Sequence, residues 1–265
     1  MLENLFSIKK EGLRKVITLL GVKIKLKDNN AYLQDVLEEL LLYARRENPH
    51  KDISIQPAQN LKLHMAKIAA DESARFIMKN CITAPAFRKK KKLLSYALSK
   101  VEVEGKYLEF GVWKGNTINH IATKRPNETI YGFDSFEGLP EDWQATYPKG
   151  YFKVDSLPAV KQNVKLIKGW FDETLPKFLK EQGDFKVAFI HNDSDLYSST
   201  KTMFNCLKNH IQNGTVIVFD ELLNYPGWED NEYKALTEFL DDTGYKVEYL
   251  GYVSTGKQMA IKLYK

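Results

Sequence analysis

The sequence lacks the features that mark disulfide-rich, zinc-binding and membrane-spanning proteins. Its 265 residues include two cysteines, Cys81 and Cys206, which lie far apart without a C-x-x-C pair, so neither a disulfide framework nor a structural zinc site is expected. No apolar run reaches the roughly 18 residues that a membrane-spanning helix needs. The opening MLENLFSIKKEGLRK lacks the cleavage site and unbroken apolar stretch of a secretory signal. We therefore expect a reduced, cytoplasmic protein.

The balance of charge and hydrophobicity argues against two further classes. The net charge of +5 is modest, and lysines gather in short runs such as FRKKKKLL at residues 87–94 instead of alternating with aromatic residues along one face. We therefore expect no nucleic-acid partner. Hydrophobic residues make up 43% of the chain, which is ordinary for a folded protein. The length suits one α/β domain with an N-terminal extension.

Residues 1–27 form a basic, amphipathic opening segment. Within VITLLGVKIKLK, apolar residues and lysines alternate from Val22 to Lys27, which is the period of a β-strand. One interpretation is an edge hairpin that turns near Gly12 or Gly21. The alternative is a surface that contacts anionic lipid, which would place the protein peripherally at the inner face of the membrane. The sequence leaves both open.

Helical spacing dominates the next part of the chain. It predicts helices over residues 31–47, 59–80 and 86–100. A homodimer that forms through these helices is an alternative that the sequence does not decide. The expected division is a basic N-terminal segment, a helical N-terminal extension and a sheet-containing domain, at residues 1–30, 31–100 and 101–265.

The pattern changes from residue 106 onward, where short apolar runs alternate with helical or loop segments. The runs lie at residues 106–110, 129–133, 164–167, 186–191, 215–219 and 246–250. Strand, turn and helix in repetition predict an α/β fold with a Rossmann-like, mostly parallel sheet and helices on both faces. The last two strands, at 245–250 and 258–264, are too close in sequence for a crossover helix, so the last strand is expected to be antiparallel.

Polar residues follow nearly every predicted strand. Ligands of open α/β sheets bind outside the carboxyl ends of the strands, so these residues are expected to share one site. They are Glu109 and Gly111, Asp134 and Ser135, Gly169 and Trp170, His191, Asn192, Asp193 and Asp195, and Asp220 and Glu221.

The turn after the first of these strands, YLEFGVWKGNT at residues 107–117, indicates the type of ligand. It lacks the middle glycine of the dinucleotide pattern G-x-G-x-x-G, and Glu109 would repel a pyrophosphate. An acid beside Gly111 instead suits a ligand with a cationic amino-acid group, such as S-adenosylmethionine. Asp134 ends the second strand and is placed to accept hydrogen bonds from ribose hydroxyls, with a helix cap as the alternative.

Five motifs in register carry a more specific resemblance. They are YLEFGVWKGNT, GFDSFEGLPEDW, GWFDETLP, HNDSDLYSST and FDELLNYPGWEDNEYKAL, within residues 85–264. Together they resemble the class I S-adenosylmethionine-dependent methyltransferases, and within them the macrocin O-methyltransferase family, which methylates sugar hydroxyls. The antiparallel last strand fits that fold.

The resemblance implies S-adenosylmethionine as cofactor and a site for magnesium. It implies that Glu109, Gly111 and Gly115 line the methionine end, that Asp134 binds the ribose, and that Ser135, Gly169 and Trp170 lie near the adenine. It also implies that Mg²⁺ is held by Asp193, Asp220 and Glu221. The family has two aspartates where this chain has Asp220-Glu221, which places the magnesium geometry in question.

Methyl transfer needs a base for the acceptor hydroxyl, and His191 and Asp193 are the catalytic candidates. The alternative for His191 is a hydrogen-bonded residue at a strand end. Tyr225 and Trp228 are expected either to form a lid or sugar-stacking wall, or to pack in an ordinary loop. The basic run at residues 88–92 is either a solvated helix face or a surface that attracts a phosphorylated or nucleotide-linked acceptor.

The favoured function is an S-adenosylmethionine-dependent O-methyltransferase that acts, with help from a metal, on a hydroxyl of a sugar or surface-polysaccharide precursor. One alternative is a catalytically weak, methyltransferase-like binding module of a polysaccharide pathway. Another is an NAD-dependent sugar-modifying enzyme, which the missing G-x-G-x-x-G disfavours.

Overall fold

The computed structural model describes the strands within residues 6–11, 14–19 and 22–27, and all of residues 60–143 and 147–265. The chain divides into two compact units, Met1–Met65 and Ala66–Lys265. The predicted helix at 31–47 lies outside the described residues. The domain limits expected near residues 30 and 100 stay a prediction. No helix in the described part of the chain is long and apolar enough to cross a membrane.

The first unit contains a three-stranded antiparallel sheet in the order β1-β2-β3. Its strands are β1 (Phe6–Glu11), β2 (Arg14–Leu19) and β3 (Val22–Lys27). The register pairs Leu19 with Val22, so β2 and β3 form a hairpin, as the alternation of apolar residues and lysines predicts. Contact of this segment with lipid stays a prediction.

The remaining elements alternate between strand and helix, except that β7 follows β6 and β11 follows β10 without a helix between them. In chain order they are α1 (Leu61–Asn80), β4 (Ala86–Phe87), α2 (Lys90–Ser99), β5 (Lys106–Phe110), α3 (Asn116–Lys124), β6 (Ile130–Asp134), β7 (Val164–Lys168), α4 (Phe171–Gln182), β8 (Val187–Asn192), α5 (Tyr197–Leu207), β9 (Ile211–Phe219), a short 3₁₀ helix (Trp228–Asp230), α6 (Glu232–Thr243), β10 (Lys246–Val253) and β11 (Met259–Tyr264).

These strands form an eight-stranded sheet in the order β4-β10-β11-β9-β8-β5-β6-β7. Strands β9, β8, β5, β6 and β7 are mutually parallel, and β11 is antiparallel to both of its neighbours. The predicted fold class, a mostly parallel sheet with an antiparallel last strand, is therefore confirmed. Because the parallel strands point the same way, their carboxyl ends meet at one edge.

Both faces of the sheet are buried, as the near-continuous apolar runs predict. Along β9, Ile217 and Phe219 join one core cluster, whereas Val216 and Val218 join the cluster on the other face. Helices α1, α4, α5 and α6 contribute to the first cluster, and α2 and α3 contribute to the second. Each fully buried side chain of this size contributes about 1.5–3 kcal/mol to stability.

The two largest differences from the predicted element boundaries are at the starts of α2 and β9. Residues predicted as the first turn of a helix, Ala86 and Phe87, form the edge strand β4 beside β10, and helix α2 begins at Lys90. Strand β9 begins at Ile211, four residues before the predicted start at residue 215. Pro85 favours extended backbone in its predecessor, and its carbonyl accepts a hydrogen bond from Tyr252, so tertiary pairing with β10 overrides local helical spacing.

Candidate functional site

A cavity of about 1080 Å³ lies along the carboxyl ends of the parallel strands. Seven of the predicted site residues line it: Gly111, Asp134, Ser135, Trp170, Asp193, Asp220 and Glu221. Four others, Glu109, Gly115, Gly169 and His191, lie outside its lining. The structure therefore brings most of the predicted set to one cavity and places the remainder behind it.

The turn after β5 packs directly against the turn after β8. The amide of Asp193 donates to the carbonyl of Phe110 at 2.8 Å, and Gly111 has a φ of 85°. A Cβ at Gly111 would overlap the carbonyl oxygen of Asp193. Glycine is therefore required here because two site loops approach closely. Gly115, with a φ of 74°, precedes α3 and forms its N-cap.

Asp134 holds the same turn through its carboxylate. Its Oδ2 accepts hydrogen bonds from the amides of Val112 at 2.8 Å and Trp113 at 2.7 Å, and its Oδ1 accepts from Phe136 at 2.6 Å. A carboxylate offers about four lone-pair positions. Three are used by the backbone, so Asp134 combines the fixing of the turn with room for a ligand hydroxyl.

Ser135 and Trp170 stand beside Asp134 along the cavity. The hydroxyl of Ser135 accepts a hydrogen bond from the amide of Glu137 at 3.1 Å, which shapes the turn after β6. Trp170 is the half-buried N-cap residue of α4. The amide of Gly169 donates to the carbonyl of Asp134 at 3.0 Å, so Gly169 acts through the backbone behind this wall.

Glu109 and His191 form a fully buried pair between β5 and β8. Both side chains are 0% exposed, and His191 Nδ1 lies 3.1 Å from Glu109 Oε2. The other oxygen of Glu109 accepts from the hydroxyl of Thr117 at 2.9 Å. On its other side, His191 Nε2 lies 3.7 Å from Asp220 Oδ1. Glu109 therefore meets the site through His191 and does not face the cavity.

The charge of His191 follows from its two acidic neighbours. Burial by itself lowers the pKa of His191, but the neighbouring carboxylates of Asp220 and Glu109 outweigh burial and raise the pKa to about 10. A protonated imidazole with both nitrogens turned to carboxylates has no lone pair for an acceptor proton. This geometry argues against His191 as the base and corresponds to the alternative of a hydrogen-bonded residue at a strand end.

Four carboxylates meet in the lining of the cavity, those of Asp193, Asp195, Asp220 and Glu221. Among the residues that the structure describes, two groups could hold a cation: His191, Asp193 and Asp220, and Asp193, Asp195 and Glu221. In each group the potential ligand atoms lie within 4.8 Å of one another. Carboxylate oxygens are the ligands that magnesium prefers, so the chemistry of the donors fits the ion implied by the resemblance.

Lys90 enters the first of these groups from the start of α2. Its Nζ lies 2.7 Å from Asp220 Oδ1 and 3.0 Å from Asp193 Oδ2. Burial alone would lower the pKa of Lys90, but the two carboxylates raise it, so the ammonium stays charged. Within the run at 88–92, Lys90 is therefore not a solvated residue, although Lys91 and Lys92 are exposed.

The two adjacent acids after β9 have opposite environments. Burial alone would raise the pKa of Asp220, but His191 and Lys90 lower it below the ordinary range. Burial, Asp220 and Asp195 raise the pKa of Glu221 well above its usual value. Burial and the charge of Asp220 likewise raise the pKa of Asp193 to about 6. The Asp220 side of the cluster is therefore charge-compensated, and the Glu221 side is not.

Glu232, at the start of α6, is a further buried acid behind this cluster. It is 0% exposed and accepts hydrogen bonds from Asn192 Nδ2 at 2.7 Å and from the amide of Glu221 at 3.1 Å. Burial and the charge of Asp195 raise the pKa of Glu232 well above its usual value. Glu232 thus fixes the backbone that carries Glu221.

The loop after β9 packs inward, so its aromatic residues do not form an open wall. Tyr225 and Trp228 are 5% and 2% exposed, and Trp228 packs against Phe76 at 5.8 Å between ring centroids. The expectation of a lid with two free stacking faces is therefore wrong here, because burial of both rings in the core excludes it. Trp143 and Tyr147, stacked at 5.1 Å, line the cavity instead.

Tyr197 and Lys201 have the Tyr-x-x-x-Lys spacing that many dehydrogenases use. In this chain the Tyr197 hydroxyl donates to Glu238 at 2.8 Å, and Lys201 Nζ lies 2.7 Å from the same carboxylate. Neither residue lines the cavity. Both side chains are held by Glu238 of α6 and lie outside the cavity, so the pair does not support a nicotinamide-dependent activity.

Two residues of the site carry no distinctive signal in the sequence. Lys90 is one of five consecutive basic residues, and Glu232 follows a loop rich in acids. Only the packing of α2 and α6 against the ends of β8 and β9 separates these residues from ordinary surface charges.

Strand order, a glycine turn after β5 and an acid at the end of β6 together define the class I methyltransferase fold. In agreement, residues 108–222 match a family model described as a methyltransferase domain. The solved structure of CalS11, a calicheamicin methyltransferase, matches with a TM-score of 0.55 and 22% identity over 79% of this chain and 94% of that chain. No curated protein sequence matches the chain.

Two further solved structures are similar. A second structure of CalS11, described as a TDP-rhamnose 3'-O-methyltransferase, has a TM-score of 0.48 and 21% identity over 79% of this chain and 96% of that chain. The O-methyltransferase NovP has a TM-score of 0.50 and 18% identity over 76% of this chain and 97% of that chain. Residues 108–222 are thus similar to a methyltransferase domain, and the predicted methyltransferase fold is confirmed.

Proposed function

We propose that this chain transfers a methyl group from S-adenosylmethionine to a hydroxyl of a sugar or surface-polysaccharide precursor. One observation carries the proposal. The donor-side turn at Gly111 and the acid Asp193 belong to one cavity and are held together by the 2.8 Å hydrogen bond from Asp193 to Phe110. A carboxylate is thereby fixed directly beside the place where the methyl donor would bind.

The donor half of the cavity would bind the cofactor through Gly111, Asp134, Ser135 and Trp170. The remaining lone pair of Asp134 suits a ribose hydroxyl, and Trp170 offers an aromatic surface beside it. We assign Glu109 an indirect role, because its carboxylate holds Thr117 and His191 behind the turn. Gly115 and Gly169 would act through the backbone in the same way.

Asp193 is the best placed base. Its side chain is 25% exposed, and its pKa of about 6 leaves it ionised at neutral pH yet basic enough to take a proton. The cofactor supplies a methyl group on a sulfonium. As the acceptor oxygen forms its bond to that carbon, the carbon–sulfur bond breaks with its electrons passing to sulfur, and Asp193 accepts the hydroxyl proton. His191 positions Asp220 and does not face the acceptor.

A divalent cation fits the acidic end of the cavity. One observation supports this fit independently of the family: Glu221 is 8% exposed, and its Oε2 is buried without a hydrogen-bond partner among the described residues. Asp193 and Glu221 would hold the ion, with Asp220 as the third residue implied by the family. When bound, such an ion would lower the pKa of a coordinated hydroxyl, and Asp193 would then act as a ligand of the ion; Asp193 acts as the base where no ion is bound.

Other features of the cavity support a polar, ring-containing acceptor. Trp143 and Tyr147 offer aromatic surface on one wall, and Lys91, Lys149 and Lys257 contribute positive charge. Such a set suits a sugar that carries a phosphate or nucleotide. The similarity to CalS11, which acts on TDP-rhamnose, supports the same class. A peripheral membrane position through residues 1–27 and a homodimer are separate proposals.

Calorimetry and a transfer assay test the proposal. We expect S-adenosylhomocysteine to bind and NAD not to bind. Labelled S-adenosylmethionine should methylate at least one member of a set of nucleotide sugars and glycan fragments, assayed with and without Mg²⁺. Asp193→Asn should keep the affinity for S-adenosylhomocysteine and lose transfer. Binding without transfer to any acceptor would favour a binding module, and binding of NAD alone would overturn the proposal.

A further inference from the structure

Lys90 changes which carboxylates are free to bind a divalent cation. The family pattern combines Asp193 with the pair after β9, Asp220 and Glu221. In this chain the ammonium of Lys90 already lies 2.7 Å from Asp220 Oδ1 and 3.0 Å from Asp193 Oδ2. A lysine ammonium and a hydrated metal ion compete for the same oxygens, because both are compact, strongly hydrated cations.

The position of Lys90 is unfavourable for its own helix. Helix α2 begins with three lysines and has no acid in its first turn, and positive charge at a helix N-terminus opposes the macrodipole. The contacts with Asp193 and Asp220 offset this cost for Lys90. Lys90 is therefore held by the acids of the site and not by the local preference of its helix.

Asp220 already has a cation on its cavity side. Lys90 contacts its Oδ1 at 2.7 Å, and the imidazole of His191 covers the same oxygen at 3.7 Å from the interior. A second cation on this carboxylate would be repelled by the Lys90 ammonium. Asp220 is consequently the least available of the four acids for a metal ion.

Within the other group, and among the residues that the structure describes, neither Asp195 nor Glu221 has an ion pair as short as those of Lys90. Oxygens of Asp193, Asp195 and Glu221 lie within 4.8 Å of one another. The nearest lysine to Glu221 in the described chain is Lys257, whose Nζ is 4.0 Å from Oε1. The second oxygen, Oε2, is buried and has no hydrogen-bond partner in the parts of the chain that the structure describes. A buried carboxylate oxygen without a partner is costly and points to a missing cation.

We infer that Lys90 acts as a tethered cation on Asp220, and that the divalent cation site of this chain consists of Asp193, Asp195 and Glu221. Asp195 thus replaces Asp220 in the ligand set. Lys90 occupies one oxygen of Asp193, Oδ2, so the same carboxylate bridges the internal cation and the bound one. This inference rests on the proposed function only in locating the site, since cation binding is measured without methyl transfer.

Titration with Mn²⁺ followed by electron paramagnetic resonance tests the ligand set in the full-length chain. We expect wild type to bind Mn²⁺, and Asp195→Asn and Glu221→Gln to weaken binding by about tenfold or more. Asp220→Asn should change the affinity by no more than about threefold, since the Lys90 ammonium at 2.7 Å already compensates the charge of Asp220. Stronger loss in Asp220→Asn than in Asp195→Asn would overturn the shifted ligand set.

Lys90→Met tests the tethered cation and has a matched control on the same helix. Removing the ammonium should tighten Mn²⁺ binding by about threefold or more, because repulsion at Asp193 disappears. Lys92→Met removes an exposed lysine two residues away and should leave the affinity unchanged. Equal affinities in the two variants would show that Lys90 does not compete.

Two measurements separate the possible failures. Binding of S-adenosylhomocysteine by each variant confirms that it is folded, so a lost Mn²⁺ signal then reports on the ligand itself. Failure of wild type to bind Mn²⁺ at millimolar concentration would overturn the site while leaving methyl transfer open. Mn²⁺ binding by wild type with no methyl transfer would instead contradict the proposed function and leave the ligand set standing.

Discussion

Asp220 and Glu221 are neighbours in sequence, are both buried, and nevertheless carry opposite electrostatic environments. Lys90 and His191 flank Asp220 and lower its pKa, whereas other acids surround Glu221 and raise its pKa. Burial is common to both residues, so it cannot explain the difference. The difference shows that the partners brought by α2 and β8 decide which of the two acids has a compensated charge.

The largest loss of activity is expected on substitution of Asp193, whose carboxylate belongs to both groups of potential cation ligands. Asp193→Asn keeps the shape and removes the base, so turnover should fall by about 10²–10⁴-fold. Steady-state kinetics measure the loss, and calorimetry with S-adenosylhomocysteine is the control for the donor half. Near-normal turnover would mean that the base lies elsewhere and that the comparison has no catalytic meaning.

The comparison itself is tested by neutralising each of the adjacent acids. Asp220→Asn leaves Lys90 and His191 short of a counterion and should lower the free energy of unfolding by about 3 kcal/mol. Glu221→Gln removes repulsion and should raise it by up to about 1 kcal/mol in the presence of a chelator. Urea unfolding measures both.

The sign of the pH dependence adds a second check on this pair. Glu221 has a raised pKa in the folded state, so it binds its proton more tightly there than in the unfolded chain. Its cost to stability is absent at low pH and grows as the pH rises above the ordinary carboxyl range. The advantage of Glu221→Gln over wild type should therefore increase with pH. A constant or decreasing difference would contradict the uncompensated environment.

The same comparison of environments applies to two fully buried glutamates, Glu109 and Glu232. Glu109→Gln weakens the contact with protonated His191 at 3.1 Å and should cost about 2–3 kcal/mol. Glu232 accepts hydrogen bonds at both oxygens, from Asn192 Nδ2 at 2.7 Å and from the amide of Glu221 at 3.1 Å, so glutamine leaves one buried donor without an acceptor. Glu232→Gln should therefore cost about 1–3 kcal/mol in urea unfolding. Because the pKa of Glu232 is raised in the folded state, this loss should shrink as the pH rises, and a loss independent of pH would contradict the acidic environment of Glu232.

The sequence predicted the sheet because its evidence is local. Apolar runs mark β5 to β9, and the short connection between β10 and β11 requires antiparallel pairing. The residues after each strand predicted Gly111, Asp134 and Asp193 at one cavity for the same reason. The contribution of Lys90 could not be predicted, because it depends on how α2 packs across β10 and β11, far from Asp220 in sequence. The inward turn of Tyr225 likewise follows from tertiary packing.

Replacement of Lys257 should have the smallest effect on stability, and it tests whether Glu221 already has a counterion. It is the cation nearest to Glu221 in the described chain, but its side chain is 32% exposed and its Nζ is 4.0 Å from Oε1. A partly exposed pair at that distance contributes at most about 1 kcal/mol. Its stem also lies over Trp143, with Nζ 4.8 Å from the ring centroid.

Lys257→Met retains the apolar stem and removes only the charge, so stability should change by less than about 1 kcal/mol. Lys262→Met is a suitable control, since Lys262 pairs with the exposed Glu102 at 2.6 Å, away from the cavity. A loss at Lys257 as large as that of Asp220→Asn would mean that Glu221 already has its counterion. The two sides of the cluster would then be equivalent, and the argument for a cation beside Glu221 would lose its basis.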